Sequence, residues 1–234
     1  MSNICVVYGG NSSLIKSIKT DLIKSFDLLI LISRSETECD SEKIINIIYE
    51  NIEDIAKNLK SIIRGNKITF ISAAAYSSNK LFLDENFDTI TESIEVNLIN
   101  NIKIIQILLN ESIKTRNGIF IFISSFRSDI PTKGTCIYSS SKIYMEKLFN
   151  SLSIEYSRFD QRFLILKIGL FEKGLSENLP FDISSKKFLN NNLSRKRVST
   201  SKDIFSAIKF IIDNEYINGT ELDMTGKLLI DLKI

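Results

Sequence analysis

The sequence predicts an α/β fold: one domain built on a doubly wound sheet of seven parallel strands. Three observations carry that reading. Short runs that are apolar on both faces recur at residues 4–8, 28–33, 44–49, 68–73, 119–124, 163–168 and 221–224. Strands buried on both sides, as in a parallel sheet, need such runs. Helix-like segments separate them, at about residues 13–25, 52–64, 89–112, 139–157 and 202–214, and repeated strand–helix–strand units wind a sheet on both faces. No internal repeat, low-complexity linker or Pro/Gly-rich hinge divides the 234 residues, a length that suits one large α/β domain.

Bulk composition narrows the chemistry. A net charge of +2 gives no argument for nucleic acid or an acidic membrane surface. The short basic run Ser194-Arg195-Lys196-Arg197 reads as a solvated loop. The chain has no histidine. That removes Ser-His-Asp and Cys-His catalysis and His-ligated zinc. Proton handling therefore falls to carboxylates, Tyr, Lys or Cys. Cys5, Cys39 and Cys136 are scattered, odd in number and not spaced as metal ligands. They read as reduced thiols of a cytoplasmic protein. No metal is expected, no signal-peptide pattern opens the chain, and no apolar run approaches the ~20 residues that span a bilayer.

Each element in turn adds a constraint. The first strand runs into Tyr8-Gly9-Gly10-Asn11-Ser12-Ser13-Leu14, a glycine turn that opens a helix. Free backbone N–H groups at such a turn suit a pyrophosphate. The second strand ends at Ser33-Arg34-Ser35. An acidic residue there would accept from a ribose 2′-hydroxyl, whereas the planar fork of Arg34 suits a 2′-phosphate, so NADP(H) is preferred with NAD(H) possible. Glu36 nearby carries the opposite charge. The helix near 89–112 carries apolar residues well beyond a single stripe, from Ile94 to Leu109. Its excess suggests a subunit interface.

The fifth strand ends in Ser124-Ser125, and a helix begins at Tyr138. Tyr138-x-x-x-Lys142 sets a phenol and an ammonium on one helix face, one turn apart. A free phenol, with a pKa of about 10, is a poor proton donor-acceptor at neutral pH. A lysine nearby favours the phenolate, and Ser125 can donate to a carbonyl oxygen. Tyr76-x-x-x-Lys80 has the same spacing but no serine at a strand end beside it, and it is set aside as coincidence. Residues 170–199 have weak periodicity and follow the sixth strand. They read as a substrate lid, or equally as a surface excursion.

In this order and spacing the motifs resemble the short-chain dehydrogenase/reductase family over nearly the whole chain. Ile123-Ser124-Ser125 is similar to its active-site serine strand, and Tyr138-Ser139-Ser140-Ser141-Lys142 to its catalytic helix. Glu95-Val96-Asn97-Leu98 is similar to the segment whose asparagine holds a helix kink and a relay water. Residues 198–204 and 217–223 resemble the last helix cap and the last strand. The resemblance implies an NAD(P)-binding Rossmann fold and hydride transfer between NADP(H) and a small carbonyl or alcohol. It implies a catalytic set of Asn97, Ser125, Tyr138 and Lys142. Cofactor contacts would come from Gly9, Asn11, Ser12, Ser13, Leu14, Arg34, Ser72, Ala73, Ala74 and Gly169, with Tyr138 and Lys142. By position Tyr76, Phe126, Arg127, Tyr144, Phe171 and Glu172 line the substrate pocket. A homodimer or homotetramer through the 89–112 and 139–157 helices is expected.

There are departures. Ser13 and Ile15 stand where the second and third turn glycines would be, Ser72-Ala73-Ala74-Ala75 replaces an Asn-Asn-Ala-Gly pattern, and Ile168-Gly169 replaces Pro-Gly. Ile15 is expected to crowd the helix–sheet contact or the pyrophosphate. A second reading therefore stands beside the enzyme: a catalytically weak or inactive binding or scaffold protein derived from the same fold.

Overall fold

The computed structural model describes residues 1–37, 41–50, 52–172 and 185–227. Its centre is a sheet of seven parallel strands in the order β3-β2-β1-β4-β5-β6-β7. The strands are β1 (Asn3–Tyr8), β2 (Leu28–Ser33), β3 (Ile44–Ile48), β4 (Lys67–Ser72), β5 (Gly118–Ser125), β6 (Gln161–Ile168) and β7 (Glu221–Met224). All seven fall where they are predicted; the central strands, covered on both faces, leave an uninterrupted apolar signature, whereas the edge strand β7 alternates exposed and half-buried residues. The order reverses between β1 and β4, which run side by side from Asn3↔Lys67 to Tyr8↔Ser72. That switch point opens the crevice at the carboxyl edge.

Alternate residues of each strand feed two cores, one on each face. On one face Val6, Phe70, Phe120, Phe122 and Phe163 meet the helices α2 (Ile52–Ile63), α4 (Asn100–Thr115) and α5 (Cys136–Glu155). Phe120 stacks on Phe163 at 4.6 Å, and Phe149 of α5 meets Phe163 edge-on at 5.6 Å. On the other face Val7, Leu31, Ile71, Ile121 and Leu164 meet α1 (Ser13–Ser25) and α7 (Ser201–Asp213). Each such fully buried side chain contributes about 1.5–3 kcal/mol of hydrophobic stabilisation.

The helix expected over residues 89–112 is a path of three pieces. It runs through α3 (Phe87–Ile94), a π-helical turn (Glu95–Ile99) and α4. The catalytic-helix candidate α5 begins at Cys136, two residues before Tyr138. The last helix α7 opens with a capping box between Thr200 and Asp203. A short helix not read from the sequence, α6 (Lys186–Asn192), covers part of the expected lid stretch. Residues 173–184 of that stretch, and Cys39, lie outside the described residues. Leu170 and Leu193 pack on Phe126, which ties the ends of the stretch to the site. Among the described residues no helix is long and apolar enough to cross a membrane.

Candidate active site

At the carboxyl edge, the last residue that each central strand turns toward α4 and α5 is polar and paired. Tyr8 on β1 meets Tyr49 hydroxyl to hydroxyl at 3.0 Å. Ser72 on β4 bonds Asn101 of α4. Ser124 on β5 donates to Glu146 of α5 at 2.5 Å. Lys167 on β6, nearly fully buried, reaches Asp129 at 2.8 Å, Glu221 at 3.0 Å and Glu146 at 3.5 Å. Buried polar atoms must find partners, and this row ties the helices to the sheet at the level of the candidate site.

Ser125, Tyr138 and Lys142 converge just beyond this row, and all three are buried. Burial raises the Tyr138 phenol above its ordinary value, while the neighbouring Ser125 hydroxyl and then the Arg127 guanidinium pull it down. Lys142 donates to the carbonyl of Ile123 at 2.9 Å, and its ammonium lies 5.5 Å from the centre of the Tyr138 ring. It also sits 4.7 Å from the Phe122 ring centre. Burial pushes Lys142 down to about 8, against the opposing pull of Glu146 one turn further along α5.

Asn97 lies inside the π turn, where one extra residue per turn re-aims the side chain. Its amide clamps the backbone of Tyr76, accepting from the N–H at 2.8 Å and donating to the carbonyl at 2.9 Å. Asn101 braces the same turn from the next one, donating to the carbonyls of Val96 at 3.2 Å and Asn97 at 3.0 Å. Residues 73–80 are not helical. The Tyr76–Lys80 spacing therefore sets no shared helix face.

The turn after β1 is tight and bare of side chains on its inner side. Gly9 has φ +94°, and a Cβ there would lie 2.5 Å from the backbone nitrogen of Ala74. A Cβ on Gly10 would lie 2.8 Å from Cβ of Leu31. These two neighbours make the close approaches to β4 and β2, and Gly10 was not among the residues singled out from the sequence. Ser12 caps α1 by accepting from the N–H of Ile15 at 3.3 Å. Ile15 itself is wholly buried between α1 and the sheet, with Val7 and Leu31. Its bulk goes into the core. The first-turn N–H groups at Ser13 and Leu14 are of the kind a helix leaves unbonded internally. The turn therefore fits a pyrophosphate, which needs bare backbone and free N–H groups. Asn11 donates to the carbonyls of Ser35 and Glu36, both at 2.9 Å, and so holds the loop after β2 against the turn.

Of the remaining predicted positions some lie beside these groups and others lie apart. Arg34 is exposed and paired with Glu92 of α3 at 2.5 Å. Ala73 and Ala74 follow β4, with the Ala73 N–H on the carbonyl of Tyr8 at 2.8 Å. Gly169 bonds Met224 at 3.3 Å. Phe126 and Arg127 are buried beside Ser125, in a short 3-10 turn. Phe171 is packed into the core with α1 and α7, and Glu172 accepts from the N–H of Ser201 at the start of α7. Tyr144 lies on the exposed side of α5 with Ile143. Cys5 and Cys136 are free thiols. Among the described residues no cluster of three or more His, Cys, Asp or Glu could hold a metal ion.

Residues 37–180 match the short chain dehydrogenase family. The chain belongs to that family. Carbonyl reductase family member 4 of Xenopus laevis is 23% identical and is covered over its full length by 99% of this chain. The 3-oxoacyl-[acyl-carrier-protein] reductase FabG of Buchnera aphidicola is 26% identical, with 95% of this chain and 96% of that protein covered. Among solved structures, ElxO with NADP bound superimposes with a TM-score of 0.81 at 17% identity, covering 97% of this chain and 98% of that one. The 4-hydroxyisoleucine dehydrogenase complexed with NADH gives a TM-score of 0.81 at 19% identity, covering 96% and 97%. These structures share the fold of this short-chain dehydrogenase: one domain with a seven-stranded parallel sheet between helices.

Proposed function

We propose that this short-chain dehydrogenase reduces a small-molecule carbonyl with NADPH, with NADH as the weaker alternative. The observation that carries the reading is the burial of Tyr138 and Lys142 on one face of α5, with the Ser125 hydroxyl against the phenol. The nicotinamide, when bound, supplies the hydride. Ser125 donates to the substrate oxygen and Tyr138 delivers the proton to it. Lys142, charged, favours the phenolate left behind. Asn97 holds Tyr76 and the π turn at the rim. Gly9 to Leu14 hold the pyrophosphate, and Arg34 supplies the 2′-phosphate preference. The printed names of the relatives, a carbonyl reductase and a 3-oxoacyl-carrier-protein reductase, support the reductive direction.

The partly exposed Ile94 and Ile99, with Ile143, Tyr144 and Ile154 of α5, support association with a second copy. A cytoplasmic setting fits the free thiols Cys5 and Cys136. The test is NADPH consumption against a keto-sugar, a 3-oxoacyl thioester and a small ketone. Tyr138→Phe should lose at least ~100-fold in rate, as expected for removal of a general acid. Full activity in that variant overturns the assignment. Ser13 in place of the second turn glycine is the departure on which the second reading, a binding or scaffold protein, rests. That reading predicts an intact cellular phenotype for Tyr138→Phe.

A further inference from the structure

Arg34 follows the carboxyl end of β2, and Tyr76 follows that of β4. In the strand order these two flank β1. Glu92 of α3 pairs with Arg34, and its charge acts on Tyr76. Its carboxylate holds Arg34 at 2.5 Å. Burial raises the Tyr76 phenol, and the Glu92 carboxylate adds to that rise by its charge and by accepting the hydroxyl proton. Arg34 and Glu92 thus pair at the carboxyl edge, beside the strand that leads into Gly9, with the Glu92 charge acting on Tyr76 as well.

The pair is open to exchange. The Arg34 side chain is 56% exposed and that of Glu92 37%, so water and small anions have access to both. The backbone that carries Arg34 is less free. Asn11 holds Ser35 and Glu36 to the glycine turn, and the Ser33 hydroxyl donates to the Ser35 carbonyl at 2.7 Å. The Arg34–Glu92 contact uses one donor, Nη1 to Oε1. A phosphate gripped in bidentate fashion through Nη1 therefore competes with the Glu92 carboxylate for that donor. The displaced carboxylate remains on α3 as a like charge beside it.

We propose that Glu92 is a specificity-determining residue: it competes with a nucleotide 2′-phosphate for Arg34 and so narrows the preference of this chain for NADPH over NADH. The inference rests on the dinucleotide reading of the crevice. Specificity set partly by a built-in repulsive group is a recognised device. The other charged or titratable groups that act on this pair are Tyr8 and Tyr49 on Arg34, and Glu85 on Tyr76. Neither tyrosine can replace a carboxylate at Arg34.

The test is calorimetric titration of the wild type, Glu92→Gln, Arg34→Ala and the double variant with NADPH and with NADH. Glu92→Gln should tighten NADPH by about 10-fold, the scale of one displaced charge-assisted contact, and leave NADH within about 2-fold. The gain should vanish in the double variant. An unchanged NADPH-to-NADH ratio in Glu92→Gln overturns the role of Glu92 and leaves the dinucleotide reading standing. A gain that persists without Arg34 overturns it as well. Binding of neither nucleotide to the wild type overturns the dinucleotide reading and this inference together. Tyr76→Phe, which keeps the ring but frees Glu92 from the phenol, should shift the ratio by less than Glu92→Gln. A larger shift would assign the discrimination to Tyr76.

Discussion

Lys142→Met should stabilise the fold while removing activity. Burial pushes the Lys142 ammonium from 10.5 down to about 8. At neutral pH the folded chain therefore carries a charge that costs about 3 kcal/mol more there than in the unfolded chain. Methionine keeps the reach of the side chain and removes the charge. It also gives up the bond to the Ile123 carbonyl and the contact with the Phe122 ring, each worth about 1 kcal/mol. The net expectation at pH 7 is a gain of about 1 kcal/mol, or roughly 2–4 °C in Tm for a chain of this size. The unfolded lysine binds its proton more tightly than the folded one, so wild-type stability from this group rises with pH between about 8 and 10.5. The methionine variant lacks that rise, and its advantage should shrink toward about pH 9.5. Urea denaturation at about pH 7 and about pH 9.5 measures both points. A variant less stable than wild type at neutral pH, or an advantage that does not change with pH, would refute the reasoning.

Other perturbations follow from the same geometry. Gly9→Ala places a Cβ 2.5 Å from the Ala74 nitrogen at a φ of +94°. It should cost at least about 1–2 kcal/mol by thermal melt and weaken nucleotide binding beyond that loss. Lys167→Ala leaves the buried Glu146 without its ion-pair partner, and a loss of about 3–5 kcal/mol is expected in urea denaturation. Asp203 is held well below the usual carboxylate range, first by Arg197 and then by the Thr200 cap. Its contribution is present above the unfolded value of about 3.9 and is lost as the pH falls further. Asp203→Asn should therefore flatten the acid limb of the stability curve, and an unchanged limb would count against the cap. Asn101→Leu removes the brace on the π turn, and a melt unchanged within about 0.5 kcal/mol would show that the turn stands without it.

The parallel sheet was legible because every central strand is apolar on both faces, and the site because Gly9, Ser125 and Tyr138 fall at strand and helix ends; the order of the strands comes from their pairing in the structure. The stretch from Leu14 to Leu22 could not be read so fully. The sequence separates Leu14, Ile15, Ile18 and Leu22 by helical spacing, yet only the packed core shows that Ile15 has room there. The apolar run from Ile94 to Leu109 continues through the π turn, and one extra residue per turn leaves no mark in such a run; only the resemblance at Glu95-Val96-Asn97-Leu98 implied a helix kink there. The clamp of Asn97 on Tyr76 spans 21 residues, and the Arg34–Glu92 pair spans 58. Contacts of that separation are made by the fold and leave no local pattern. The helix α6 carries Lys-Lys-Phe-Leu-Asn-Asn-Asn, too short and too polar to show a periodic face.

The proposed reaction requires the crevice between β1 and β4 to hold a nicotinamide dinucleotide at the altered turn. Titration calorimetry of the wild type with NADPH tests this most directly. Saturable binding of one nucleotide per chain below about 100 µM, near the middle of the usual enzyme range, is the predicted result. No heat of binding at millimolar NADPH, with none at millimolar NADH, would contradict it.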